Sequence, residues 1–254
     1  AAVSAKKEIR KVLVANRGEI AIRVFQACRE RGIETVSVHS EADKSAPHRF
    51  AADESVLIGP AAPSESYLRV DRIIDAAKQT GADAIHPGYG FLAENAPFAR
   101  AVEEAGLIFI GPTPEQIESM GDKVQARAIM MAAEVPVIPG TKNPIEEEDE
   151  LIKAAKDIGY PLLLKAAGGG GGKGIRRVDS DEELVPAWKR TRSEALASFG
   201  DDRVYIERLV QGARHIEAQI VGDGQGSVWF LGERECSLQR NHQKVLEESP
   251  SPAV

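Results

Sequence analysis

The chain has little with which to staple itself or to cross a membrane. It contains two cysteines, Cys28 and Cys236. They are far apart and outside any CxxC or Cys/His spacing, so neither a disulfide framework nor a zinc site is expected, and both read as free thiols of a reducing compartment. No run reaches the roughly 18 apolar residues that span a bilayer. The polar, charged start at residues 1–10 is unlike a secretory signal. These features point to the cytoplasm, or to a mitochondrial matrix after loss of a transit peptide. Positive charge is also in short supply: the formal net charge of -7 repels nucleic acid and anionic membrane at long range. Neither is expected as a partner, whereas a small anion in a locally basic, glycine-lined pocket is. Aromatic residues make up only 5%, yet 43% hydrophobic residues over 254 positions suffice for one large core or two modest ones.

What is present is an alternation. Residues 11–15 (KVLVA), 35–39 (TVSVH), 56–58, 84–86 and 107–110 are short runs rich in branched side chains and read as strands. Between them, 19–30, 67–79 and 95–104 carry apolar residues at three-and-four spacing, as in Ile20, Val24 and Ala27, then Leu68, Ile73 and Ala77. This βαβα order predicts an open, largely parallel sheet with helices on both faces, and function at the loops leaving the carboxyl ends of its strands. Two such loops stand out, Asn16-Arg17-Gly18-Glu19 and His86-Pro87-Gly88-Tyr89-Gly90. Gly111-Pro112-Thr113-Pro114 then marks a turn and a helix start, and 120–134 reads as one helix stopped by Val135-Pro136 and Pro139-Gly140. The acidic run at 146–150 suits the solvated first turn of the next helix. Beyond Gly159 the pattern changes to strands at 161–166, 175–178, 203–208, 215–221 and 228–233, with a helix at 181–198 and a hairpin turn at 222–226. A small antiparallel sheet with a helix packed on it is expected there.

Three constellations carry chemistry. Residues 168–174 hold six glycines and Lys173. Ordering so much glycine costs entropy, and a polyphosphate approached closely by bare backbone N–H groups, with Lys165 and Lys173 alongside, would offset it. The run is not a Walker A loop, because Ala167 and Gly174 stand where glycine and Ser/Thr are needed. A dinucleotide fingerprint can be laid on Gly169, Gly171 and Gly174, but a strand follows instead of a helix. A hairpin able to fold over phosphates remains, with a plain flexible linker as the alternative. The second constellation is 235–244, ECSLQRNHQK. Read as extended, period two puts Arg240, His242 and Lys244 on one side, where they repel unless an anion lies between them. The alternative is a solvated edge strand, against which Leu238 and Val245 suggest partial burial. The third is Glu207 within VYIERLV at 204–210. A carboxylate in an apolar strand needs a partner, which an adenine amino group or a salt bridge to Arg208 or Arg214 would supply.

Taken in order, ANRGEIAIR, AIHPGYGFLAEN, IGP, MGDKV, LLKAAGGGGGKG, VYIER, RHIEAQ and ECSLQRNHQKV resemble the motifs of the biotin carboxylase family of ATP-grasp enzymes, from Lys11 nearly to the end. The resemblance implies a Rossmann-like N-terminal domain at 1–113, a helical linker at 114–140, an α+β ATP-grasp lid at 141–210 and the start of a further, incomplete ATP-grasp subdomain at 211–254. It implies that Lys123 and Lys165 contact ATP phosphates under a lid formed by Gly170, Gly171 and Gly172, and that Glu207, Arg208, Leu209 and Val210 hold adenine. His215 would lie near the ribose and phosphates, and Gln239 and His242 would line the reaction site. Lys244 would bind bicarbonate, and Tyr89 and Gly90 would face the biotin ureido ring. Asn241 stands where the family often has a second arginine.

The implied reaction is ATP-dependent carboxylation of biotin by bicarbonate through carboxyphosphate, within an acyl-CoA or pyruvate carboxylase such as the acetyl-CoA carboxylase of fatty acid biosynthesis. ATP and Mg2+ are the implied cofactors. The Mg2+ ligands and the general base of the family follow the last motif, so the residues at hand are expected to be inactive alone. Biotin is expected on a separate carrier domain or protein, since no Met-Lys-Met type of attachment motif occurs. A carboxyltransferase and a homodimeric arrangement are the other implied partners. Two rival readings are another ATP-grasp ligase, of the carbamoyl-phosphate or purine-pathway kind, and a non-catalytic nucleotide-binding fragment. The HPGYGF and QRNHQK motifs argue against the first.

Overall fold

The computed structural model describes residues 8–168, 174–240 and 243–254, with Lys123, Val124 and Gln243 described in backbone only. The chain forms two compact units, one ending at Asp122 and one starting at Lys123. Among the described residues no helix is long and apolar enough to cross a membrane.

The first unit runs β1 (Lys11–Val14), α1 (Gly18–Glu30), β2 (Glu34–Ser40), α2 (Pro47–Ala51), β3 (Glu54–Gly59), α3 (Val70–Thr80), β4 (Ala84–His86), α4 (Ala96–Glu104), β5 (Ile108–Phe109) and α5 (Pro114–Gly121). Its five strands lie in the order β3-β2-β1-β4-β5 and every neighbouring pair is parallel. Consecutive residues of a strand point to opposite faces, and both faces are covered. Val12, Val14 and Ala84 pack with Ala21, Val24, Phe25 and Cys28 of α1. Leu13, Val36, Val38 and Ile85 pack on the other face with Ile73 and Ala77 of α3 and with Phe98 and Val102 of α4. This is why the strands read as unbroken apolar runs instead of alternating ones. The strand order reverses between β1 and β4, and the loops at 16–19 and 87–90 leave the carboxyl ends of those two strands.

Three details depart from the sequence reading. α3 begins at Val70 instead of 67: Tyr67 precedes it, almost fully buried, with its hydroxyl donating to Asp43 Oδ2 at 2.7 Å, while Leu68 is exposed. The hydroxyl's demand for an acceptor outweighs helical spacing. α2 is an unanticipated short helix that starts on Pro47 and carries the buried His48, whose Nε2 lies 3.2 Å from the Val38 carbonyl. The helix expected over 120–134 is divided. A capping box between Thr113 and Gln116 starts α5, and Asp122 takes extended dihedrals, φ -82° and ψ 113°, at its end.

The second unit contains α6 (Lys123–Ala132), α7 (Glu148–Ile158), β6 (Leu162–Ala166), β7 (Ile175–Val178), α8 (Asp181–Phe199), β8 (Val204–Arg208), β9 (Ile216–Gly222), β10 (Val228–Glu235), β11 (Gln239–Arg240) and β12 (Gln243–Lys244). β7-β6-β8 is an antiparallel sheet. Leu162, Leu164, Val178, Val204 and Ile206 form its inner face, buried against Leu151 and Ala155 of α7 and Leu184 and Trp188 of α8. β9 and β10 are a separate antiparallel hairpin instead of part of that sheet. Its turn is closed by Asp223, whose Oδ1 accepts from the backbone N–H groups of Gln225 and Ser227 at 2.7 and 3.1 Å.

Asp43 is the charged group on which the loops of the first unit converge. Its carboxylate, 8% exposed, accepts from Arg17 Nε at 2.8 Å and Nη2 at 2.5 Å, from the Tyr67 hydroxyl and from Ser40 Oγ at 3.2 Å. The Arg17 guanidinium foremost, with the Tyr67 hydroxyl, holds the carboxyl well below its usual range, and Tyr67, pushed up to about 12 by burial and by Asp43, stays neutral as a donor. Asp43→Asn should lose about 2–3 kcal/mol in urea unfolding at pH 7, below the full cost of breaking a buried pair because Arg17 is half-exposed and rehydrates. A lowered carboxyl pKa stabilises above the unfolded value of about 3.9 and loses that contribution as pH falls through it. The gap between wild type and variant should therefore be full above about pH 5 and narrow below it. An unchanged gap at pH 3 would contradict this assignment.

Candidate active site

One candidate site lies at the reversal of strand order in the first unit. Asn16, 4% exposed, donates from Nδ2 to the carbonyls of Pro87 at 2.8 Å and Tyr89 at 2.7 Å. Gly88 has φ +64°, and a Cβ there would stand 2.7 Å from Asn16 Nδ2, so the loop needs glycine at this point. Tyr89 is exposed, and its hydroxyl donates to the Glu19 carboxylate, which lowers the Glu19 pKa and raises that of Tyr89. Gly90 has φ +66° and open space around it. Asn16, Glu19, Tyr89 and Gly90, with Arg17, Ile20 and Phe91, line a cleft of about 320 Å³. The two loops singled out in the sequence thus meet, and Tyr89 and Gly90 stand at the rim.

The second unit supplies two polar clusters. On the sheet, Lys165 of β6 donates to Glu207 Oε2 of β8, and Arg127 of α6 lies 3.5 Å from Oε1. All three side chains are largely buried, and the one carboxylate faces two cations, while the buried Arg127 Nε has no hydrogen-bond partner among the described residues. The partners of Glu207 are therefore Lys165 and Arg127, not Arg208 or Arg214. Arg214 instead reaches Glu235 at 3.3 Å. The register explains this: Leu163 faces Glu207 and Lys165 faces Tyr205, so Lys165 is the diagonal neighbour of Glu207. Arg208 and Leu209 donate their backbone N–H groups to the carbonyls of Pro139 and Pro161 at 2.8 and 3.0 Å, and Val210 is exposed.

The other cluster surrounds Glu217 of β9. Lys244 Nζ lies 2.6 Å from its Oε1 and 2.7 Å from its Oε2, Arg234 Nη2 2.9 Å from Oε1, and His215 Nε2 3.6 Å from Oε2. Gln239 Nε2 donates to His215 Nδ1 at 2.6 Å. The hydrogen bond between the two groups lowers the Glu217 pKa and raises that of Lys244, so the pair is ionised at neutral pH. Local structure makes this possible. Glu217 and Arg234 are cross-strand partners in β9 and β10, and Gln239 and Lys244 are partners in the short β11–β12 hairpin. His215, Gln239 and Lys244 were singled out in the sequence and come together here. Glu217 and Arg234 were not, although period two from His215 already places Glu217 on the same side of the strand.

That short hairpin overturns the picture of 239–244 as one extended strand with three bases on one side. Gln239 pairs with Lys244 and Arg240 with Gln243, antiparallel. Leu238 and Val245 are both more than half exposed, contrary to the partial burial expected of them. His242, Gly170, Gly171, Gly172 and Lys173 lie outside the described residues, as does the side chain of Lys123. The strands flanking the glycine run pair antiparallel, Lys165 opposite Ile175, and Ala166 N donates to the Gly174 carbonyl at 2.8 Å, so the run joins the two arms of a hairpin.

Among the described residues, Glu217, Cys236 and Glu247 bring ligand atoms within 4.8 Å of one another. They do not suit Mg2+, which takes octahedral oxygen ligands. Both oxygens of Glu217 are engaged by Lys244, and Cys236 offers a buried thiol.

Comparison with known proteins places this geometry in a family. Residues 8–117 match the family described as biotin carboxylase, N-terminal domain, and residues 122–254 match carbamoyl-phosphate synthase L chain, ATP binding domain. The chain is 54% identical to the biotin carboxylase of Pseudomonas aeruginosa over 97% of its own length and 55% of the relative's. It is 54% identical to the mitochondrial pyruvate carboxylase of Rattus norvegicus over 96% of its length and 21% of the relative's. A biotin carboxylase from Campylobacter jejuni, solved with a β,γ-ATP ligand, superposes with a TM-score of 0.89 at 47% identity, over 97% of this chain and 55% of that one. The biotin carboxylase domain dimer of the Hydrogenobacter thermophilus 2-oxoglutarate carboxylase, solved with MgADP, ADP and bicarbonate, gives 0.87 at 48%, over 98% and 55%. The chain spans about half the length of the biotin carboxylases it matches. It belongs to the biotin carboxylase family, of which it carries the N-terminal domain and the carbamoyl-phosphate synthase type of ATP-binding domain.

Proposed function

We propose that the protein carrying this chain is a biotin carboxylase, which uses ATP to carboxylate biotin with bicarbonate. The observation that carries the reading is the ionised Lys244, held on Glu217 beside the His215–Gln239 pair, in a domain whose solved relatives bind ADP and bicarbonate. A protonated lysine anchored on one side still has donors to offer an incoming anion on the other. Lys244 binds bicarbonate and offsets the repulsion between it and the γ-phosphate, which is largest where water is excluded. Lys165 and Lys123 contact the phosphates, Glu207 through Val210 hold the adenine, and His215, Gln239 and His242 line the nucleotide and reaction site. The glycine hairpin with Gly170, Gly171 and Gly172 folds over the nucleotide and excludes water.

A bicarbonate oxygen attacks the γ-phosphorus and the β–γ bridging bond breaks, which yields ADP and carboxyphosphate. The carbon–oxygen bond of carboxyphosphate then breaks to give CO2 and phosphate. That phosphate takes the ureido N–H proton, and CO2 is captured at the nitrogen, near Tyr89 and Gly90. Mg2+ enters on ligands other than the Glu217, Cys236 and Glu247 group. Biotin arrives on a carrier domain or protein, a carboxyltransferase consumes the product, and the enzyme works as a homodimer, as the Hydrogenobacter thermophilus domain is described.

Phosphate release by the complete protein should require bicarbonate and rise with biotin, and an amine should not replace biotin. Stimulation by an amine instead would favour another ATP-grasp ligase. Lys244→Gln should raise the bicarbonate KM by about tenfold or more with little change in the ATP KM, since one charge-assisted contact is lost.

Glu217→Gln removes the anion that raises the Lys244 pKa. The alkaline limb of the pH profile for bicarbonate kcat/KM should then move to lower pH. An unmoved limb would mean that Glu217 does not act on Lys244.

A further inference from the structure

The segment at 87–91 has little regular structure of its own, yet its backbone is fixed in an unusual path. Gly88 and Gly90 are left-handed, and so is Phe91 at φ +40°, a conformation that costs a non-glycine residue free energy. Something outside the segment must hold it. Phe91 is held by its ring, stacked on Tyr67 with centroids 5.1 Å apart and planes 10° from parallel. Gly88 N donates to His86 Nδ1 at 3.0 Å. Between these two points the carbonyls of Pro87 and Tyr89 both accept from one nitrogen, Asn16 Nδ2.

An asparagine beside the start of a helix ordinarily caps it. Asn16 does not: α1 begins after Arg17 and has no side-chain cap hydrogen bond. Among the described residues the Asn16 oxygen accepts only from the adjacent Arg17 N, at 2.9 Å, and both amide donors go to the loop across the crevice. At 4% exposure, water cannot replace these bonds. The fit is also tight, since a Cβ on Gly88 would stand 2.7 Å from the Asn16 amide nitrogen and 3.0 Å from its carbon.

We propose that Asn16 is a positioning residue for the biotin-side loop: its amide, bridging two carbonyls on either side of Gly88, sets where Tyr89 and Gly90 stand. The proposal rests on the reading that this loop faces biotin. Asn16 itself touches no substrate; it acts through the Pro87–Gly90 backbone. An aspartate there keeps the shape and the bond to Arg17 N, but turns a bridging donor into an oxygen aimed at two carbonyl oxygens. Gly88→Ala attacks the same contact from the other side.

The test is steady-state phosphate release by the complete protein with free biotin as the varied substrate, alongside ATP KM and the melting temperature. Asn16→Asp and Gly88→Ala should each raise the biotin KM by about tenfold, the loss expected for one to two buried hydrogen bonds, with the ATP KM moving less than threefold. A folded Asn16→Asp with an unchanged biotin KM, or with biotin and ATP KM rising together, overturns the proposal. If Asn16→Asp gives no cooperative melt, Asn16→Ser, which adds no charge, and Gly88→Ala decide by the same criterion. Tyr89→Ala and Gly90→Ala separate the two levels. If they raise the biotin KM and the Asn16 variants do not, positioning by Asn16 fails alone. If none of these variants moves it, the placement of biotin against this loop has failed.

Discussion

Glu217 lies in β9 with its carboxylate shared among Lys244, Arg234 and the His215 imidazole, and the polar part of the second unit takes its arrangement from that sharing. A partly buried carboxylate must be matched by charge. The match here draws in β10 through Arg234, the β11–β12 hairpin through Lys244 and, through His215, the amide of Gln239. A ligand anion arriving at Lys244 joins a pair that is already balanced, so it gains hydrogen bonds without having to order the lysine.

The first unit uses Asp43 in the same way, but for loops. Its carboxylate ties Arg17, next to Asn16 in the loop after β1, to Tyr67, on which Phe91 stacks from the loop after β4. Residues that follow four different strands, β1 to β4, are thus held in one circuit at the carboxyl edge of the sheet, where an open α/β fold places its ligands. A stable parallel sheet alone would not fix the Tyr89 segment. It is fixed by side chains whose donors and acceptors cross between loops.

Much of this was legible in the sequence, and what was not has a common cause. Strands β1, β2 and β4 could be read because burial on both faces leaves continuous branched runs, and α1 and α4 because their apolar spacing has only one helical solution. The hairpin at Asp223 is announced by its turn residues. The start of α3 was misread because Tyr67 fits the helical spacing yet is drawn out of it by Asp43, some twenty residues away. The antiparallel pairing of β11 with β12 is not legible because period two says nothing about which short strands pair. Lys244, His215 and Gln239 could be singled out as unusual residue types in a dense cluster. Glu217 and Arg234 look like ordinary solvated members of apolar strands until the register pairs them, and the partners of Glu207 likewise depend on which residue of β6 lies diagonal to it. Local pattern was available from the sequence; cross-strand and cross-loop pairing was not.

The central claim is that bicarbonate, positioned by Lys244, is the nucleophile toward ATP. If a bicarbonate oxygen forms the new bond to phosphorus and the carbon–oxygen bond then breaks, that oxygen remains on the released phosphate. Mass analysis of phosphate formed by the complete protein from ¹⁸O-bicarbonate, in the presence of biotin, tests this directly. One labelled oxygen per phosphate is the result predicted. Phosphate that carries its fourth oxygen from water would contradict the account.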